Sequence, residues 1–158
     1  MSCQRVLPDA LPPGDVVELS DHLHLNPVPR LVGSARRFVR DRLPPALDED
    51  VTDALLLMTS ELVTNAVIHA RTAIELGVTV SRESVLVTVH DQDLARPAQQ
   101  PYSDRDGGRG LDLVRALSEQ YAVERHEDDG KTVWFRVRRA GGGAALGVVE
   151  GGEQGGGA

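Results

Sequence analysis

Hydrophobic positions recur along this chain with two periods, and the switches between them lay out its elements. Glu18 to Leu25 reads as a strand, with Leu19, Leu23 and Leu25 on one face. Asn26-Pro27 predicts a helix start, since Asn caps free amides and Pro is tolerated at the first helical position. Val28, Leu31, Val32, Ala35, Phe38, Val39 and Leu43 follow at helical spacing, with the arginines on the opposite face, until Pro44-Pro45 ends the run. Asp48 caps a second helix whose buried stripe is Val51, Ala54, Leu55, Met58, Leu62 and Ala66, reaching about Ala70. Glu49 and Asp50 occupy its first turn, where the helix dipole favours negative charge.

Alternation then takes over. Ile74, Leu76, Val78 and Val80, and next Val85, Val87 and Val89, predict a hairpin turning at Glu83-Ser84. Leu94 to Gly107 is a loop rich in Pro, Gln, Ser, Asp and Gly, of the length often used for lids and binding loops. A short helix follows at Leu111, Leu113, Val114 and Leu117. A second hairpin, Tyr121 to His126 and Thr132 to Arg138, turns around Asp128-Asp129-Gly130. The order β-α-α-β-β-loop-α-β-β implies an α+β two-layer sandwich: one mixed, mainly antiparallel sheet covered on one face by three helices.

The ends break the pattern. Residues 1–17 carry Pro8, Pro12, Pro13 and Gly14 and read as a flexible arm. Residues 141–158 are a glycine-rich tail, so the folded domain spans 18–140. With 158 residues, 41% hydrophobic and 26% charged, the chain fits one globular domain. No run of apolar residues approaches a bilayer span and no signal pattern opens the chain, so a cytoplasmic protein with no membrane partner is expected. Cys3 is the single cysteine, which removes internal disulfides and thiolate metal clusters. A net charge of -7 argues against direct nucleic-acid binding. Arg30, Arg36, Arg37, Arg40 and Arg42 nevertheless cluster early, as a docking face for an acidic partner or simply a solvated helix face.

Four features carry candidate chemistry. Glu61 and Asn65 lie one helical turn apart, presenting two oxygen ligands on one face, as a hard cation such as Mg²⁺ prefers. Asp91 ends the most apolar strand, where a buried carboxylate accepts the exocyclic amine of adenine; guanine offers no such amine at that edge. Gly107-Gly108-Arg109-Gly110 opens a helix, and its bare amides together with the helix dipole suit an anion. Lys131-Thr132 begins the last strand, placing a hydroxyl where it joins a base-binding network. Each feature also has an ordinary reading as turn, cap or strand residue. Their order along the chain is what makes them a set.

Taken together, these segments resemble the GHKL ATPases, which share the Bergerat ATP-binding fold. More narrowly, the chain is similar to stand-alone anti-sigma-factor serine/threonine kinases and their actinobacterial relatives. Glu61-Leu62-Val63-Thr64-Asn65-Ala66-Val67-Ile68-His69-Ala70 matches the family's N box, and Asp91 its first glycine box. Gly108-Arg109-Gly110-Leu111 matches the second glycine box, and Gly130-Lys131-Thr132-Val133-Trp134 the final threonine motif. The resemblance covers about Leu19 to Val137. It implies ATP and Mg²⁺ as cofactors, with Asn65 as metal ligand and Glu61 as general base or orienting group. Asp91 would hold adenine with help from Thr132, and the amides near Gly108, Gly110 and Leu111 would hold phosphates. Arg109 would either contact those phosphates or face solvent.

The resemblance also implies two protein partners, a sigma factor and an antagonist phosphorylated on serine, and allows a homodimer. One departure stands out. Asp93 occupies a position where the family usually has glycine, which implies weaker binding or a nucleotide-binding regulatory module without kinase activity. A histidine-kinase catalytic half would need a phosphoacceptor from another protein, since no dimerising helical hairpin is present. His69 reads as a helix-terminal residue, and His22 and His24 share a strand face with no third metal ligand.

Overall fold

The computed structural model describes residues 10–70, 72–93 and 112–139, with the side chains of His69 and Ala70 left aside. Five strands, β1 (Val17–Leu25), β2 (Ile74–Ser81), β3 (Ser84–Asp91), β4 (Gln120–Arg125) and β5 (Lys131–Arg138), form one sheet in the order β1-β2-β3-β5-β4. All four pairings are antiparallel, so the sheet expected to be mixed is antiparallel throughout the described residues. Helices α1 (Leu31–Arg42) and α2 (Glu49–Ala70) cover one face, and residues 112–117 are helical. The two-layer α+β sandwich expected from the sequence is the fold observed.

Register sorts the strand residues onto two faces. The row Leu23, Leu76, Val89, Val133, Val123 runs across the sheet beneath the helices, as does Asp21, Val78, Val87, Phe135, Tyr121. Apart from Asp21, these side chains join Val39, Leu55, Met58 and Val63 from the helices in or against the main core. Trp134 faces the other way, buried with Leu86 and Ala10 in a small second cluster. Its indole Nε1–H donates to Glu124 Oε1 (3.1 Å).

Ala10 and Leu11 close that second cluster, and they lie in the segment that the sequence placed in a flexible arm. The Ala10 carbonyl accepts from Arg136 Nη1 (2.7 Å). Asp15 pairs with the Ser81 hydroxyl and accepts the Glu83 amide (3.2 Å), binding this segment to the β2–β3 turn. Proline content suggested mobility, but the docking contacts come from strands more than 60 residues away in sequence.

Helix α1 starts at Leu31, not at Pro27 as expected, and its N-cap Arg30 makes no side-chain cap. The reason is Pro29: a residue preceding proline is pushed out of the helical region, so Val28 cannot extend the helix backward. The C-terminus follows expectation, with Leu43 extended before Pro44. Arg42 is not simply solvated. Its Nε–H donates to Asp21 Oδ2 (2.5 Å), its Nη1 caps the Phe38 carbonyl (2.9 Å), and the guanidinium lies 3.6 Å from the Phe38 ring centroid. Arg36 likewise reaches α2, donating to Ser60 Oγ (2.8 Å).

Helix α2 begins as read, the Asp48 carboxylate accepting the Asp50 amide (2.9 Å). Contrary to the expectation that no segment approaches a bilayer span, its Glu49–Ile68 stretch is long and apolar enough to cross a membrane, with mean hydropathy 1.4. Polar Thr52, Asp53, Thr59, Ser60 and Glu61 interrupt any apolar run, so the sequence reading passed over it. Here the helix is clamped between α1 and the sheet: Leu55, Leu56, Met58 and Val63 are all buried. Thr59 and Ser60 return their hydroxyls to the Leu55 and Leu56 carbonyls (2.7 and 2.9 Å), so these two hydroxyls are satisfied within the helix. The first hairpin turns at Arg82-Glu83, one residue earlier than expected, because Ser84 pairs with Arg138 as a strand residue.

Two outcomes test this packing. Phe135→Ala, removing a fully buried ring at the centre of the core, should cost about 3–5 kcal/mol in urea unfolding. Asp21→Asn should lower the melting temperature at pH 7 and make no difference below the folded pKa of Asp21. The hydrogen bond from Arg42 holds that carboxyl below its ordinary 3.8, so its contribution is present above 3.8 and is lost as pH falls through the folded value.

Candidate nucleotide site

Between the middle of α2 and the ends of β3 and β5 lies a small cavity lined by Leu62, Asn65, Ala66, Val89, Asp91, Tyr121, Lys131 and Val133. Helical spacing supplies Leu62, Asn65 and Ala66 from one face of α2, and strand alternation supplies Val89 with Asp91 and Lys131 with Val133. Asp91 and Lys131 are direct cross-strand partners. The walls are largely apolar, while the polar groups sit at one end. As it stands the enclosed space is about 10 Å³, room for roughly one water. A larger ring enters only if a lining side chain moves, and Lys131 has the most flexible stem among them.

Asp91 is 1% exposed. Its Oδ1 accepts the Asp93 amide (3.1 Å), and Lys131 Nζ lies 3.8 Å from its Oδ2. Burial pushes its pKa above 3.8, against the nearby Lys131 cation and the Asp93 amide, which lower it. Burial therefore disfavours the charged form relative to a free carboxyl, so the stability linked to its proton is complete below pH 3.8 and is lost as pH rises through the raised value. Asn65 contributes an orphan. Its Nδ2 is buried with no hydrogen-bond partner, an unusual state for a buried amide and one that a bound polar ligand resolves. Glu61 is half-buried one turn earlier on α2 and engages no hydrogen bond or ion pair among the described residues. That leaves its carboxylate available as a proton acceptor.

The loop after β3 is held from two sides. The Gln92 amide donates to Thr72 Oγ1 (3.2 Å), just past α2. On the other side, Gly130 adopts φ 67° in the β4–β5 turn, and a Cβ there would overlap the Asp91 carbonyl oxygen. Glycine is thus required at 130 for both conformation and space.

Asp91 and Asn65, assigned from sequence to one site, do meet in one pocket. Thr132 does not join them. It lies on the opposite face of the sheet, cross-strand from His90 and Glu124. Its hydroxyl is engaged there by His90 Nδ1 (3.0 Å) and His126 Nε2 (2.9 Å), with His90 Nε2 reaching Asp129 Oδ1 (3.3 Å). Lys131 takes the place beside Asp91 that the hydroxyl was expected to fill. The sequence held the signal: Val133, Phe135 and Val137 face the helices, so the two-residue period puts Lys131 with them and Thr132 outside. Gly108, Arg109, Gly110 and Leu111, and the loop 94–107, lie outside the described residues. His22 and His24 both approach Glu75, at 3.5 and 3.6 Å.

A helix and two adjacent strand ends thus converge on a buried carboxylate and a carboxamide with an unpartnered Nδ2, the candidate ligand site of this α+β sandwich. Over residues 25–137 the chain matches the model of the histidine kinase-like ATPase domain, and it belongs to that family of GHKL-type ATP-binding domains. No curated protein sequence matches the chain significantly. The residues present fit an adenine nucleotide: Asp91 offers a buried acceptor for the base, and Asn65, lining the same pocket, carries an amide whose Nδ2 lacks a partner.

Gly130→Ala should destabilise the protein by about 2 kcal/mol or more, since positive φ and overlap act together. Thermal unfolding checks the size, and any nucleotide affinity should fall with it because Asp91 is the residue displaced.

Proposed function

We propose that this domain binds Mg²⁺-ATP and acts as a regulatory serine/threonine protein kinase of the anti-sigma-factor type, in the cytoplasm, phosphorylating an antagonist protein and binding a sigma factor. The observation that carries the reading is the meeting of Asn65 and Asp91, 26 positions apart, in one apolar-walled pocket. Asn65 Oδ1 is the group that would ligate Mg²⁺, and Asp91 would accept the exocyclic amine of the base. Bound Mg²⁺-ATP supplies a transferable phosphoryl group with its charge partly neutralised.

What the chain's own groups do is position and move a proton. Glu61, on the same face as Asn65, takes the proton from the partner's serine hydroxyl as that oxygen attacks. Its half-buried carboxylate, with no partner among the described residues, suits that role. The exposed Arg37 and Arg40 remain available for an acidic partner, while Arg36 and Arg42 are committed to Ser60 and Asp21.

A second reading, a nucleotide-binding regulatory module without transfer activity, is favoured by Asp93. Its amide folds back onto Asp91, and its charge opposes ionisation of that carboxyl, where the family usually has glycine.

Incubation with Mg²⁺ and labelled ATP, with and without the antagonist protein, separates the two. Kinase action places phosphate on serine or threonine of the antagonist. Glu61→Ala should reduce that transfer by about 10²–10⁴-fold and leave ATP affinity unchanged. Undiminished transfer in the variant removes Glu61 from its role. Sigma-factor capture without any transfer supports the regulatory module.

A further inference from the structure

The buried cation in the base pocket has no place in the reading above. Asp91 alone is an acceptor, which suits the amine of adenine and repels the carbonyl oxygen that a 6-oxopurine carries at the same position. Lys131 changes that balance. It is the single lysine of the chain, it is 6% exposed, and register sets it directly across from Asp91 on the helix-facing side. At 3.8 Å from Oδ2, the ammonium ion-pairs with the carboxyl, so an acceptor and a cationic donor stand side by side on the pocket wall.

Such a pair complements two different base edges. Towards adenine, Asp91 accepts from the exocyclic amine while Lys131 donates to the adjacent ring nitrogen. Towards guanine or hypoxanthine, Lys131 donates to the 6-oxygen while Asp91 accepts the ring N–H, and in guanine the 2-amino group as well. Leu62, Ala66, Val89 and Val133 offer apolar surface to a flat ring without reading its edge, and Asn65 and Tyr121 complete the lining. Thr132, which would have offered a neutral hydroxyl able to suit either role only weakly, faces the opposite side and is held by two histidines.

We propose that Lys131 is the base-selecting residue of this pocket and that, paired with Asp91, it admits 6-oxopurine nucleotides such as GTP alongside ATP. The assignment rests on the nucleotide-binding reading. The long stem lets the ammonium swing aside as a ring enters, then return to whichever ring atom accepts.

Equilibrium titration of the full chain with Mg²⁺-ATP and Mg²⁺-GTP tests it, alongside Lys131→Thr and Lys131→Gln, each checked for folding by circular dichroism. In the unaltered protein the two dissociation constants should agree within about ten-fold. Lys131→Thr should shift the ratio towards ATP by about ten-fold or more, and Lys131→Gln, which keeps a neutral N–H donor at the same place, should hold it near the original. ATP binding that excludes GTP, or a ratio that Lys131→Thr leaves unchanged, overturns the assignment while the ATP reading stands. Absence of saturable binding by either nucleotide overturns both.

Discussion

The cross-strand row Leu25, Ile74, Asp91, Lys131, Arg125 sets the terms for everything else in this domain. In an antiparallel sheet a slip of one residue would turn every side chain to the other face, so one register choice decides both core and site. Here the choice is made by apolar packing. Val85, Val87 and Val89 with Val133, Phe135 and Val137 must lie under α2, and their burial carries Asp91 and Lys131 to the same side. The two charges sit where water is scarce because their hydrophobic neighbours leave no alternative. The ion pair is a consequence of the core, and the raised pKa of Asp91 records the cost of that placement.

The same constraint explains the division of labour between the two sheet faces. The helix-facing side holds the pocket with its apolar walls and the Asp91–Lys131 pair. The other side holds Trp134, the segment around Ala10, and a chain of contacts from His126 through Thr132 and His90 to Asp129. That chain ends on the residue before Gly130, and Gly130 packs against the backbone of Asp91. The two faces thus meet at one turn, in which glycine allows contact closer than any side chain would permit.

Helix α2 shows how the site is supported from above. It is apolar enough to suit a membrane by composition, yet α1 and the sheet enclose it, and Arg36 bonds it to α1 through Ser60. A helix packed on one side against α1 and on another against the sheet has little freedom to roll. Asn65 therefore keeps its carboxamide aimed into the pocket although the Nδ2 atom finds no partner, a local cost the surrounding packing over-determines.

Much of this was legible in the residue pattern. Period-two and period-3.6 spacing determined the element order and the second helix's start at Asp48, and the motif order pointed to an ATP-binding domain before any contact was known. Proline chemistry gave the end of α1 but misplaced its start, since the effect of Pro29 on Val28 outweighed the capping residue Asn26. Docking of residues 10–16 was not legible, because its partners Ser81, Glu83 and Arg136 are distant in sequence. The sequence by itself determined that a carboxylate, a carboxamide and a lysine belong to this domain. The tertiary structure decided which face of the last strand lies under the helices, and with it that Lys131 and not Thr132 stands beside Asp91, because a side chain's face is chosen by the packing of its whole strand and not by its own chemistry.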